Sequence, residues 1–262
     1  ILGKKENTMN ILINLVIGIP LAFFGLGSDD DKNKDNEKPI TVIDEKYSSW
    51  PKQDDKIETD RNMLRENVVM VLDMSGSMFR TQCSGSFISK SHAAKFSIKK
   101  WIKNVDDETN IGLIAFNNGV TKKHVDLGIN NRKLIIDKIK YLNPNGGTPL
   151  KDAVNMAHLM LENQARKQKG YGVYKMVIIT DGKYSPENQN PKVEINSILN
   201  NPYNPVEIHT IGFCIEDSAL NQPGKIYYKS AKNPKELKKG LDNVISESVK
   251  FKGPNSFGDW TK

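Results

Sequence analysis

Three short runs of this chain, NVVMVL at 67–72, IGLIAF at 111–116 and YKMVIIT at 174–180, place apolar residues at successive rather than alternate positions. A strand turns successive side chains to opposite faces, so such runs predict strands buried on both sides. That demands a sheet with helices above and below it. The segments between the runs supply them. Ala94, Ile98, Trp101, Ile102 and Val105 recur at helical spacing over 91–105. Ile135, Ile139 and Leu142 do so over 131–142, and Leu150, Ala153, Val154, Ala157 and Leu161 follow Pro149. Leu237, Leu241, Val244 and Ile245 mark a last helix opening at Asn233-Pro234. Further strands are expected at 123–127, after the Asn118-Gly119 turn, at 206–213 and at 225–228. The fold class is therefore α/β: a doubly wound, mostly parallel open sheet with helices on both faces. In such folds ligands bind beyond the carboxyl ends of the strands.

Three loops belong to that edge: Asp73-Met74-Ser75-Gly76-Ser77, Gly146-Gly147-Thr148-Pro149 and Thr180-Asp181-Gly182. Together they offer two carboxylates and three hydroxyls, all hard oxygen donors. That set suits Mg²⁺ or Mn²⁺ with water completing the shell, and admits Ca²⁺. Ser75 and Ser77 stand two apart in a tight turn, so both hydroxyls reach an ion beside Asp73. Singly, each residue is an ordinary turn or cap residue.

The order Asp-x-Ser-x-Ser, then Thr, then Asp, at Asp73, Ser75, Ser77, Thr148 and Asp181, resembles the metal-ion-dependent adhesion site of von Willebrand factor type A domains. The resemblance covers roughly 66–251. It implies Ser75, Ser77 and Thr148 as direct metal ligands, with Asp73 and Asp181 acting through water. It further implies a bacterial exported or membrane-anchored module, whose Mg²⁺ bridges to a Glu or Asp carboxylate of a protein ligand. Two other roles fit the same domain: a component of a pilus, secretion or envelope assembly, and a cytosolic chelatase- or ATPase-associated subunit.

Catalysis has less to build on. There is no Gly-x-Ser-x-Gly elbow and no Walker-type Gly-Lys-Ser/Thr. An aspartyl-phosphate enzyme needs a second Asp where this chain has Ser75. His92, His124, His158 and His209 fall inside predicted helices or strands and form no ligand-spaced pair. The expectation is a binding protein and not an enzyme. A net charge of +7 raises the question of nucleic acid, but 33 lysines against 5 arginines argue against a specific reader of bases or phosphates. Lys99, Lys100 and Lys103, and Arg166, Lys167 and Lys169, read as solvated basic surfaces.

Residues 9–26, MNILINLVIGIPLAFFGL, lack any charge. As a helix they span about 27 Å, close to the ~30 Å core of a bilayer. Lys4 and Lys5 precede the run and Asp29, Asp30 and Asp31 follow it, which predicts export of everything after residue 28. Gly25-Leu26-Gly27 offers a cleavage site before Ser28, so 1–27 is either a signal peptide or a transmembrane anchor. Residues 28–65 read as a polar linker, with Ile40–Ile43 a weak strand candidate, and 252–262 as a tail. Only two cysteines are present. Cys83 and Cys214 belong to the same sheet edge, which in an exported protein leaves two readings open, a disulfide or two unpaired thiols. One intervening strand puts the strand axes about 10 Å apart, so loop excursion must close the gap.

Overall fold

The structure is a computed structural model that describes residues 49–215 and 220–246. The apolar run at 9–26 and Ile40–Ile43 lie outside the described residues, as do the tail and most of the polar linker. Among the described residues no helix is long and apolar enough to cross a membrane.

Six strands form one sheet: β1 (Glu66–Asp73), β2 (Asn110–Asn117), β3 (Val120–Gly128), β4 (Val173–Thr180), β5 (Glu207–Phe213) and β6 (Tyr227–Ala231), ordered β3-β2-β1-β4-β5-β6. All neighbours are parallel except β2 and β3, which the Asn118-Gly119 turn joins as an antiparallel hairpin. The helices are α1 (Lys90–Trp101), α2 (Arg132–Lys140), α3 (Leu150–Lys167), α4 (Lys192–Asn200) and α5 (Pro234–Ser246).

The sheet separates two cores, as its two-sided apolar runs require. On one face Val68, Met70 and Leu72 of β1 meet Ile98 and Trp101 of α1, Ile135 of α2 and Leu241 of α5. On the other Val69 and Val71 meet Val154 and Leu161 of α3 and Ile195 of α4. Alternate residues of a single strand thus feed opposite cores, the defining trait of a doubly wound sheet. The order reverses beside β1, with β2 on one side and β4 on the other. The carboxyl ends of β1 and β4 frame the crevice at that switch point.

Several boundaries differ from the sequence reading. Helix α1 ends at Trp101, and Ile102 and Val105 are buried from the turn beyond it. Pro149 is the residue before α3 rather than its first turn. Helix α4 was not expected, and β6 lies two residues later than the 225–228 run. The end of the supposed linker is also packed: Trp50 stacks against His158 and meets Tyr174 edge-on, at centroid distances of 6.1 and 5.0 Å. Asp60 N–H donates to Lys167 O at 2.8 Å, and Gln164 donates to the Asp60 carboxylate at 2.8 Å. One large aromatic and a few Asx-type turns dock a segment that is polar on average.

Candidate functional site

Strand β1 ends in Asp73, which is fully buried. Its Oδ1 accepts the Ser75 backbone N–H at 2.8 Å and its Oδ2 accepts the Thr180 hydroxyl at 2.6 Å. Strand β4 ends in Thr180, so this bond ties the two strand ends across the crevice. Beyond Thr180, Asp181 Oδ1 accepts the Ser77 hydroxyl at 2.6 Å. Ser77 Oγ stands 3.0 Å from Ser75 Oγ. Four of the five motif residues therefore join in one hydrogen-bonded cluster.

Thr148 reaches the same edge through its backbone. Gly76 N–H donates to Gly146 O at 3.0 Å, and Thr148 and Ser185 exchange backbone bonds at 2.9 and 3.0 Å. Asn145 N–H donates to Met74 O at 2.9 Å, and Asn118 N–H to Asn145 O at 2.7 Å. The loop before α3 is thus stitched to the loops after β1, β2 and β4. The fit needs glycine at one point above all. Gly146 has φ +76°, and a Cβ there would lie 2.4 Å from Gly119 N.

One participant had no sequence signal. Lys90, the first residue of α1, is 3% exposed, and its Nζ forms an ion pair with Asp181 Oδ2. That oxygen accepts no hydrogen bond of good geometry, so the contact is chiefly one of charge. Thr180 and Ser185 are the other residues whose part in the site only the fold discloses.

Burial and the nearby Asp181 charge push the Asp73 carboxyl from its ordinary 3.8 up to about 6, against the lowering effect of its Ser75 and Thr180 bonds. A carboxyl raised on folding binds protons more tightly in the native state. Its contribution to stability is complete below pH 3.8 and is lost as pH rises through about 6. In metal-free protein, Asp73→Asn should match the parent near pH 4 and exceed its stability at pH 7.5 by on the order of 2–3 kcal/mol. Urea unfolding at the two pH values checks this; a parent–variant difference that does not change with pH would contradict it.

The donor set fits a hard divalent cation. Two serine hydroxyls and an Asp oxygen lie along a 3.0 and 2.6 Å chain, with Thr148 on the adjoining loop and Asp73 behind them. Carboxylate charge crowded enough to raise a pKa is charge that a cation relieves.

Cys83 and Cys214 are joined in a disulfide with Cα atoms 5.8 Å apart. Strand β5 ends at Phe213, and Cys214 turns out of line with φ 66°, while Cys83 has φ 61° in the loop before α1. These two excursions close the gap that β4 imposes between β1 and β5. The histidines fall where the sequence put them, inside α1, β3, α3 and β5. His209 is buried, stacks on Tyr227 at 4.6 Å and contacts Glu207 at 3.2 Å.

Hydroxyls and carboxylates are thus gathered at the switch point of an open α/β sheet. Residues 68–183 match the family model of the von Willebrand factor type A domain. No curated protein sequence matches the chain. Solved structures share the fold. The von Willebrand factor type A protein of Catenulispora acidiphila aligns at TM-score 0.54 and 18% identity, over 70% of this chain and 42% of that one. The pilus adhesin SpaC of Lactobacillus rhamnosus GG aligns at 0.53 and 14%, over 72% and 31%. The manganese-loaded TRAP protein of Plasmodium vivax aligns at 0.50 and 15%, over 70% and 74%. The chain thus spans less than half the length of the first two.

Proposed function

We propose that this chain is a metal-dependent protein-binding module, an adhesion or scaffold domain acting outside the cytoplasm. The observation that carries the reading is the Ser75–Ser77–Asp181 oxygen chain backed by Asp73 at the sheet's switch point. Ser75, Ser77 and Thr148 would hold Mg²⁺ or Mn²⁺ directly, and Asp73 and Asp181 through water. The ion supplies a Lewis-acidic centre with an exchangeable position. The chain's own residues would hold the ion at the strand edge, where a partner's Glu or Asp carboxylate would complete its coordination. That a manganese-loaded protein and a pilus adhesin share the fold supports this use of it. The uncharged run at 9–26 and its flanking charges support export, with the segment cleaved or kept as an anchor.

Binding fits the site better than catalysis. A serine–histidine contact exists, Ser89 Oγ to His92 Nδ1 at 2.8 Å. Ser89 is buried, however, and its oxygen caps α1 by accepting His92 N–H. It is a helix cap and not a nucleophile.

The test is a metal titration of chelator-treated protein. At 100-fold excess over Kd, Mn²⁺ should add about 2.7 kcal/mol of stability, a rise in Tm of roughly 5–10 °C. Capture of a partner from envelope extract should hold in Mg²⁺ and vanish in EDTA. An unchanged Tm together with equal capture in both buffers would refute the reading.

A further inference from the structure

We propose that Lys90 is a built-in competitor of the metal: its ammonium holds the site's affinity for a divalent cation low and leaves the loaded site with a surplus positive charge. The inference rests on the metal reading above and specifies how that site is regulated.

The position of Lys90 is costly on general grounds. It is the first residue of α1, where the helix dipole disfavours a cation, and it is almost wholly buried. A buried ammonium persists only with a compensating partner. The partner is Asp181 Oδ2, the second oxygen of the carboxylate whose Oδ1 binds Ser77. Its backbone is fixed as well, since Lys90 N–H donates to Arg80 O at 2.8 Å. The side chain is therefore not a surface lysine that has drifted inward. It is anchored at the helix start and aimed at the site.

The charge count follows directly. Asp73 and Asp181 supply two negative charges and Lys90 one positive, so the cluster stands at −1 before metal and +1 after it. With a neutral residue at position 90 the same count runs from −2 to 0. Lys90 thus halves the net charge that attracts the ion, and adds close-range repulsion among buried groups. The surplus charge of the loaded site is then cancelled by one carboxylate. Cation and acidic partner should each strengthen the other's binding, by linkage, more than in a site lacking the lysine.

The experiment is calorimetric titration of the full chain with Mn²⁺ alone, comparing the parent with Lys90→Met, Lys90→Gln and Lys90→Arg. Circular dichroism reports the fold of each, and two neutral variants guard against one failing to fold. The expected result is a Kd at least tenfold lower for Lys90→Met and Lys90→Gln, and a parental Kd for Lys90→Arg. If the parent binds Mn²⁺ and folded neutral variants bind equally or more weakly, the role of Lys90 is overturned while the metal reading stands. If neither the parent nor any folded variant binds Mn²⁺, the metal reading falls and Lys90 with it.

Discussion

Replacing both Cys83 and Cys214 by Ser is expected to lower the Tm of the protein by roughly 10–20 °C. The two residues are 131 apart in sequence, so the bridge closes most of the domain into one loop. In the chain-entropy account, a loop of that length removes enough freedom from the unfolded chain to stabilise the fold by about 5 kcal/mol. In a domain near 200 residues each kcal/mol moves Tm by about 2–4 °C. The bridge also spans β4 to tie the loop before α1 to the end of β5. Local contacts soften the loss without replacing it, for Ser84 Oγ already bonds Thr81 O and Phe87 O at 2.7 Å each. Thermal melts of the double variant, and of the parent with a reductant, measure the effect. A drop under about 3 °C in both would show that those contacts alone fix the loop.

The five motif positions were legible in the sequence for a physical reason. Each stands at or just beyond the end of a strand or the start of a helix, and those ends are announced by the change from apolar run to Gly, Ser or Asp. Asp73 and Asp181 needed only the buried strands before them. The sheet class was legible for the same reason, because strands apolar on both sides admit few architectures. What stayed hidden depends on packing over long sequence distances. Lys90 sits in a Ser- and Lys-rich stretch with no site signal, and only the packing of α1 on the sheet brings it to Asp181. Helix α4 is nine residues long and buries just Ile195 and Ile198, too few to set a period. Strand β6 has one buried residue and lies at the sheet edge, so its pattern is weak. Trp50, a single aromatic in a polar tract, carries no periodicity at all, yet it covers Tyr174.

Asp73→Ala is expected to abolish metal-dependent partner binding while the domain stays folded. Removing Asp73 leaves Asp181 as the only carboxylate of the cluster, and Lys90 already neutralises it. The remaining donors then carry no net charge toward a divalent ion, whose affinity should fall at least about 100-fold, some 2.7 kcal/mol. The fold survives because two opposing effects nearly balance. Two donors lose their acceptor: the Ser75 N–H and the Thr180 hydroxyl, which retains Gly182 O at 3.3 Å as an alternative. Each buried group left unpaired costs about 1–3 kcal/mol. Against this, the variant removes a buried carboxylate that at neutral pH stays charged despite desolvation and the repulsion of Asp181. The balance tips further toward the parent once metal is present, so the two proteins should melt together in EDTA and apart in Mn²⁺. Melting curves in both buffers and partner capture in Mg²⁺ decide the matter. Full capture by the variant would show that the ion is no bridge, and unfolding of the variant in EDTA would make Asp73 a structural residue.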